Sequence, residues 1–262
     1  MNRGRYAVLI AIATVLAAAS ARADVFPVPS AIREMRAPQE EVHVLRTLAD
    51  GTPLGEQRFR AVVENDVLVV TVATHFASGE QWDERAEMDL SGGYRGKSFH
   101  KIGRVAGKVV AEESVDFATG KVSWMQEGHR DERTLPITAD TYIGPMLGVV
   151  LADVPDATRG AASFQTISFR PDPNVYTLRA DVVDQENFKI GNVSEPTTKV
   201  RLKADLGPVQ NVMFASLIPT HYFWFTRESP PEFFAFEGTL GYNGPELRMI
   251  PQRSATSTAK AD

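Results

Sequence analysis

The sequence predicts an all-β, mainly antiparallel protein: a curved meander sheet or open half-barrel, with one short helix plugging or covering the concave face. Three observations predict this class. Short runs rich in β-branched and aromatic residues alternate with Gly, Asn and Asp turn signals about every ten residues. One stretch in the middle of the chain instead has helical spacing. The chain of 262 residues, 43% hydrophobic and without cysteine, is long enough to form a core without disulfides.

The first 23 residues have the features of a secretory signal peptide. Arg3 and Arg5 precede an apolar stretch at 6–19, and the tripeptide at 21–23 has the small-x-small pattern of a cleavage site. The apolar stretch is shorter than the ~20 residues that span a bilayer comfortably, although a retained membrane anchor is the alternative. We therefore expect signal cleavage, no transmembrane segment afterwards, and a periplasmic or secreted protein. The absence of disulfides favours the periplasm of a Gram-negative bacterium.

The charge of the chain excludes one class of partner. The formal net charge is −5, and loss of residues 1–23, which hold three arginines and no acid, changes it to −8. A nucleic-acid-binding protein needs a basic surface that neutralises phosphates. We therefore expect no nucleic-acid partner.

The first half of the chain predicts an extended segment followed by a meander. Residues 24–40 contain Pro27, Pro29 and Pro38 and predict an extended N-terminal segment. Strand-forming runs then alternate with turn signals such as Asn65-Asp66, a pattern typical of antiparallel hairpins. The predicted strands of this half are residues 42–48, 56–64, 67–75, 81–89, 94–102, 105–113, 115–117 and 121–126.

The single predicted helix lies at residues 145–152. Pro145 suits its first turn, where the missing N–H would have no helical partner. A loop at 153–162 separates the helix from the remaining strands. The helix is predicted from apolar residues three and four positions apart, namely Ile143, Met146, Leu147, Val150 and Leu151. The remaining predicted strands are residues 163–170, 175–183, 197–204, 209–216, 221–227 and 233–238.

One β-rich domain over residues 41–253 is the simplest organisation of the chain. No linker and no clear internal repeat divides this region. The helix lies between two groups of strands, so its apolar face is expected to pack on the concave side of the sheet. Residues 254–262 are small and polar and are predicted to be a disordered tail.

Catalytic and metal-binding signatures are missing from the sequence. The five histidines lack ligand spacing, and the absence of cysteine excludes cysteine-based zinc sites and thiol catalysis. The densest polar cluster, residues 127–132, is interpreted as a solvated charged turn. Neither a nucleophile elbow nor a phosphate-binding loop occurs. We therefore expect no catalytic residues, no metal and no cofactor.

Aromatic residues provide the candidate binding site. The run at 221–225 and the following run at 233–236 are apolar on both strand faces, so both faces must be covered. The simplest interpretation is a central core strand, and the functional interpretation is a strand with one face lining an apolar cavity. In the second case the helix would plug or cover that cavity. The candidate ligand-binding residues are Trp82, Trp124, Ile143, Met146, Leu147, Tyr222 and Trp224.

Four short stretches resemble a known group of proteins. They are GTPLG at 51–55, VDFATGKV at 115–122, TLPI at 134–137, and the C-terminal run YFWFT at 222–226 followed by Pro231 and FEG at 236–238. The pattern resembles exported bacterial proteins known only as a domain of unknown function, over most of residues 42–250. The architecture of that group resembles the LolA/LolB-like curved half-barrels that shuttle lipid-modified proteins across the periplasm. This chain departs from LolB-like members because it lacks an anchoring cysteine, which implies a soluble role.

The leading functional hypothesis is a soluble, non-enzymatic periplasmic protein of the cell envelope. It would bind a lipid, an acyl chain or a lipidated segment in the cavity of a curved sheet. The second hypothesis is an interaction or structural protein whose core is filled by its own side chains and which binds an envelope protein partner. A third, weaker hypothesis is a hydrolase that uses carboxylates such as Asp83, Glu84 and Asp116.

Overall fold

A computed structural model describes residues 26–35, 37–126, 128–156, 160–170, 172–205, 220–240 and 244–252. In these ranges the chain forms one antiparallel sheet of fourteen strands and two short helices. The elements in chain order are α1 (Ser30–Arg33), β1 (Gln39–Thr47), β2 (Pro53–Glu64), β3 (Val67–Phe76), β4 (Glu80–Asp89), β5 (Arg95–Val105), β6 (Lys108–Asp116), β7 (Lys121–Gln126), β8 (His129–Thr134), α2 (Pro145–Leu151), β9 (Ala161–Ser168), β10 (Asn174–Ile190), β11 (Val193–Ala204), β12 (Thr220–Thr226), β13 (Phe233–Gly238) and β14 (Leu247–Pro251).

The sheet consists of two meanders joined by the first and last strands. Strands β1–β8 follow one another across one half, and β9–β14 follow one another across the other half. The halves meet where β1 pairs with β14, with Leu45 opposite Met249. Every strand pair is antiparallel, which confirms the predicted antiparallel meander and the all-β class.

The sheet curves so strongly that its two edges nearly meet. In a flat sheet of this size, the edge strands β8 and β9 would lie on the order of 60 Å apart, at about 4.8 Å per strand. The guanidinium of Arg133 in β8 instead donates to the carbonyl of Pro173, in the β9–β10 turn, at 3.1 Å. Farther along, the amide of Tyr142 donates to the carbonyl of Gln165 in β9 at 2.9 Å. The two edge strands do not pair with each other, so the sheet remains open.

Helix α2 lies on the concave side of the sheet and contacts β3 and β4. The side chains of Met146, Val150 and Leu151 are fully buried against the strands. Pro145 occupies the first turn, as predicted. The residue before it, Gly144, has a φ of 55°, and a Cβ there would lie 2.6 Å from the ring of Phe99. The helix therefore enters so close to the sheet that only glycine fits at its start.

An aromatic cluster fills one end of the concave side. The ring of Phe26 meets those of Tyr142 and Phe164 edge-on, at centroid distances of 6.0 and 5.9 Å. The Tyr142 hydroxyl donates to the carbonyl of Tyr94 at 2.9 Å. The amide of Tyr94 donates in turn to the carbonyl of Phe26. This network ties the N-terminal segment, the sheet and the start of α2 into one closed end.

A second hydrophobic cluster lies on the outer face of the sheet. In a flat sheet, Phe188 of β10 and Phe234 of β13 would be three strands, or about 14 Å, apart. Their ring centroids are 5.7 Å apart, so the β10–β11 hairpin must bend back over the outer face. We call this group the outer cluster; its buried members are Phe188, Trp224, Phe234 and Ala235.

Several predicted boundaries differ from the structure. The strands predicted at 105–113 and 115–117 are one strand, β6, preceded by a tight turn at Ala106 and Gly107 with φ values of 50° and 77°. The sequence prediction missed α1, β8 and β14, and it ended β10 seven residues early. The predicted signal peptide at 1–23, the predicted strand at 209–216 and the predicted tail at 254–262 lie outside the described residues. Within the described ranges, no helix is long and apolar enough to cross a membrane.

Candidate functional site

A cavity of about 1530 Å³ occupies the concave side of the sheet. It exceeds the range of about 300–1,000 Å³ that is typical of small-molecule sites. Side chains from both meanders form its walls, so it forms only when β1 and β14 join the two halves. Its apolar lining includes Phe59, Leu68, Val72 and Phe99 from the first half and Leu202, Phe223, Phe236 and Met249 from the second.

Helix α2 forms part of the cavity wall on the concave side of the sheet. One face of the helix packs on the strands through Met146 and Val150, and the other face turns Leu147 and Gly148 to the cavity. A Cβ placed on Gly148 would meet no heavy atom within 4 Å. The helix therefore forms a wall of the cavity without filling it.

The structure separates the seven sequence-predicted site residues into three groups. Trp82, Ile143 and Leu147 line the cavity. Met146 and Trp124 pack in or against the main core and do not line it. Tyr222 and Trp224 belong to the outer cluster.

The position of the aromatic strand β12 follows from its alternation. Phe223 lines the cavity, and neighbouring strand residues point to opposite faces, so Tyr222 and Trp224 point outward. There the indole N–H of Trp224 donates to Glu186 at 2.7 Å. The Lys199 ammonium lies over both aromatic rings, 4.5 Å from the Tyr222 centroid and 4.7 Å from the Trp224 centroid. Since both faces of this strand are apolar, the sequence could not identify which face lines the cavity.

One polar group in the cavity wall contains its own cation. Glu84, Lys101 and Glu113 stand opposite one another on β4, β5 and β6. The Lys101 ammonium lies 3.4 Å from Glu84 Oε1 and 4.0 Å from the Trp82 ring centroid. Burial raises the pKa of Glu113, and the charge of Lys101 opposes that rise. We call this group the lysine triad.

A second polar group, on β1, has no such balance. His43 is only 2% exposed, its Nε2 lies 3.4 Å from Glu41 Oε2, and neither ring nitrogen forms a hydrogen bond with the part of the chain that the structure describes. Burial lowers the pKa of His43 to about 4, so the imidazole is neutral at pH 7. Burial, with a further contribution from the Glu232 carboxylate, raises the pKa of Glu41 to about 7. All three residues line the cavity, and we call them the β1 polar group.

Little in the sequence pattern selects the β1 polar group. The sequence analysis considered His43 only as a metal ligand, by its spacing from other histidines. That criterion misses this group, because the neighbours of His43 in the group are acidic residues and not histidines. The available signal was the alternation of β1, since Glu41, His43 and Leu45 share one face and Leu45 is fully buried.

The carboxylates named for a hydrolase do not converge. Asp83 and Glu84 are neighbours on β4 and point to opposite faces, and Asp83 pairs with Arg104 outside the cavity. Asp116 is exposed and accepts hydrogen bonds from the amides of the following turn, residues 118–119. Among the residues that the structure describes, no group of three or more His, Asp or Glu side chains could hold a metal ion.

Comparisons with known proteins identify a fold relative. No family model matches the chain. No curated protein matches it. The chain is similar to the crystal structure of a beta-barrel-like protein of domain of unknown function DUF1849 from Brucella abortus, with a TM-score of 0.51 and 10% identity. The similarity covers 82% of this chain and 96% of that chain. It concerns the fold and agrees with the expected resemblance to a bacterial domain of unknown function with barrel-like architecture.

Proposed function

We propose that this protein binds a hydrophobic ligand in the cavity and catalyses no reaction. The ligand would be a lipid, an acyl chain or a lipidated segment. The observation that carries the proposal is the apolar cavity of about 1530 Å³, which the side chains of the protein leave unfilled. The same observation argues against the alternative of a self-filled core. The proposed contacts are Trp82, Ile143, Leu147 and Phe223, all of which line the cavity.

Burial of apolar surface supplies the binding energy in this proposal. Each methylene transferred from water contributes roughly 0.8 kcal/mol. Association opposes this gain with at least ~4 kcal/mol of lost translational and rotational freedom. A ligand of only a few methylenes would therefore bind weakly, and a chain of about ten or more is expected to bind well.

We also propose that the protein acts in the bacterial periplasm in the upkeep of the cell envelope. The support is the signal-like segment at residues 1–23 together with the absence of cysteine. A role related to LolA/LolB-like carriers is part of the same proposal. It is supported by the motif resemblance and by the curved, open sheet.

A protein partner is the second candidate, and one surface feature favours it. Val105, Val109 and Val110 on the β5–β6 hairpin are exposed, and the last two also reach the cavity. An apolar patch beside a cavity could contact the protein part of a lipidated cargo. In that case the ligand and the partner would be one molecule.

Native mass spectrometry of the protein, expressed from the full sequence and purified without detergent, tests the proposal. We expect an adduct in the lipid mass range that organic solvent releases. A bare protein would argue against a lipid ligand and favour the protein partner. The same spectrum reports on export, because signal cleavage would remove residues 1–23 from the measured mass.

Narrowing the cavity beside α2 provides the matched variant test. Gly148→Phe places a ring in open space on the cavity wall, so it should lower the fraction of protein that carries the adduct while preserving the β-sheet circular dichroism spectrum. Gly148→Ala is the control, since one methyl group takes up far less of that space. An adduct fraction equal to that of the parent in the phenylalanine variant would contradict binding beside α2.

A further inference from the structure

Among the polar side chains that line the cavity, the lysine triad contains its own cation and the β1 polar group does not. The lysine triad has its own cation, held by Glu84 at 3.4 Å and by the face of Trp82. The β1 polar group contains two carboxylates and a neutral imidazole. In the part of the chain that the structure describes, neither Glu41 nor Glu232 forms an ion pair with a lysine or arginine.

The ring nitrogens of His43, which have no hydrogen-bond partner among the described residues, indicate that a ligand binds at the β1 polar group. A buried polar atom without a hydrogen bond is destabilising, so such atoms are rare unless a partner arrives. Both ring nitrogens of His43 are in this state, on a side chain that is 2% exposed and lines the cavity. Its Nε2 and the Glu41 carboxylate, 3.4 Å away, lie close enough to contact the same ligand group.

We propose that Glu41, His43 and Glu232 bind the ammonium group of an amphiphile whose apolar chain occupies the cavity. This inference rests on the proposed function and specifies the class of ligand. A primary ammonium has three N–H donors, and the β1 polar group offers carboxylate oxygens and one imidazole nitrogen as acceptors. Hydrogen bonds between ionised partners are among the stronger ones in proteins.

The surroundings of the β1 polar group suit the rest of such a ligand. Phe59 stands opposite Glu41 on β2 and lines the cavity, so an apolar wall begins beside the carboxylate. The Phe233 ring lies edge-on to the imidazole, with centroids 5.1 Å apart. The first methylenes after an ammonium group would therefore meet aromatic surface.

Two other ligand classes fit this group less well. Among the described residues of this group, an anionic headgroup would meet two carboxylates and no cation, so it would be repelled. A metal ion needs ligands at about 2.0–2.2 Å, and the described His, Asp and Glu residues form no group of three that could hold one. An ammonium group instead binds at the longer distances of hydrogen bonds. The sign of the charge therefore favours a cationic headgroup.

Three probes with the same chain and different headgroups test the inference. The full-length protein is titrated calorimetrically at pH 8 with dodecylammonium chloride, dodecanol and dodecanoate, each below its micellar concentration. We expect dodecylammonium to bind about tenfold tighter than dodecanol, and dodecanoate to bind most weakly. Equal affinities, or tighter binding of dodecanoate, would overturn the ammonium site but leave the hydrophobic cavity. Binding of none of the three would overturn the proposed function as well.

Matched variants locate the selectivity. Glu41→Gln keeps the side-chain shape and removes the charge, so it should weaken dodecylammonium about tenfold and leave dodecanol unchanged. Glu232→Gln, on a separate element, should act in the same direction. Glu40→Gln is the control, because Glu40 is exposed, pairs with Arg60 and does not line the cavity. Unchanged dodecylammonium affinity in both the Glu41 and Glu232 variants would overturn the assignment.

Discussion

Burial has opposite effects on the protonation of two neighbouring side chains of β1. It raises the pKa of Glu41 to about 7 and lowers the pKa of His43 to about 4. Compared with the unfolded chain, the folded protein therefore binds a proton more tightly at Glu41 and more weakly at His43. Between about pH 4.5 and 6.5 the two contributions to the pH dependence of stability largely cancel, because folding takes up a proton at Glu41 and releases one at His43.

Replacing Glu41 should reveal this balance. A raised folded-state pKa means that the protonated carboxyl is tolerated at low pH and that the ionised form destabilises the protein above about pH 7. We expect Glu41→Gln to raise the free energy of unfolding by about 1–2 kcal/mol at pH 8 and by nothing at pH 4.5. The estimate is reduced for solvent screening, because the side chain is 37% exposed.

Urea unfolding of Glu41→Gln at the two pH values measures this effect. Glu40→Gln provides the comparison, since that exposed carboxylate should give the same small change at both pH values. A Glu41→Gln variant less stable than the parent at pH 8 would contradict the burial argument.

Trp224 is expected to stabilise the outer face without contacting a cavity ligand. Its ring packs 5.0 Å from that of Phe188, and its N–H donates to Glu186. Trp224→Ala should lower the free energy of unfolding by about 3–5 kcal/mol, as for other large core truncations. The folded fraction should bind dodecanol with unchanged affinity, measured by calorimetry at low temperature. Weaker binding would show that the outer cluster controls the cavity.

At the scale of secondary structure, the sequence predicted strands well where burial leaves a pattern. The valine-rich β3 was predicted to within one residue, since its inward face is apolar at Leu68, Val70 and Val72. Strand β8 was mistaken for a turn because all six of its residues are exposed and no apolar alternation exists. Helix α1 has a single turn, too short for a periodic signal. Two of the three missed elements, α1 and β8, therefore bury little, whereas the third, β14, buries Leu247 and Met249 but is only five residues long.

The candidate site was predictable to a similar extent. Two of the predicted residues that line the cavity illustrate this. Leu147 was predictable from the helical spacing of α2, and Trp82 from being a large aromatic residue on a predicted strand. The sequence prediction chose Tyr222 and Trp224 instead of the cavity-lining Phe223. Both faces of this strand are apolar, so the alternation of residues does not show which face lines the cavity. The β1 polar group needed the pairing of β1 with its neighbours, which is long-range information.

Two glycines, Gly144 immediately before α2 and Gly148 within it, should respond in opposite ways. Gly144→Ala would put a methyl group 2.6 Å from the ring of Phe99 at a φ of 55°, so we expect a loss of at least 2 kcal/mol. Gly148→Ala lies in the helix with open space around it and should gain about 0.5–1 kcal/mol from helix propensity. Thermal unfolding of both variants measures the difference. Equal stabilities would mean that α2 enters the sheet less closely than the structure indicates.

At the scale of the whole molecule, an open sheet must protect its edges. Strand β8 carries charged side chains along its length, among them Arg130, which pairs with Glu112, and Glu132, which pairs with Lys121. Charged edge strands resist pairing with other chains. The charged residues within 128–132, which the sequence analysis interpreted as part of a solvated turn, therefore protect the edge strand β8.

Removing these charges should expose the edge. We expect the double variant Arg130→Val, Glu132→Val to form concentration-dependent oligomers by strand pairing. Replacement of the same two residues by lysine is the control and should leave the distribution of species unchanged. Sedimentation velocity over a tenfold concentration range measures the effect. A double valine variant that sediments as the parent does would show that the segment after β8 already covers the edge.

The pairing of β1 with β14 has a consequence for the timing of folding. In an ordinary meander the middle strands are neighbours in sequence and can pair first, but here the middle of the sheet is made by residues about two hundred positions apart. Each meander can form hairpins as it is synthesised, yet the cavity closes only after the final strand has arrived. Because long-range pairing is slow, this seam is expected to be the last part of the molecule to form. A nascent chain therefore exposes its apolar inner surface until its last strand pairs with β1. A chaperone would matter most in the interval before that pairing.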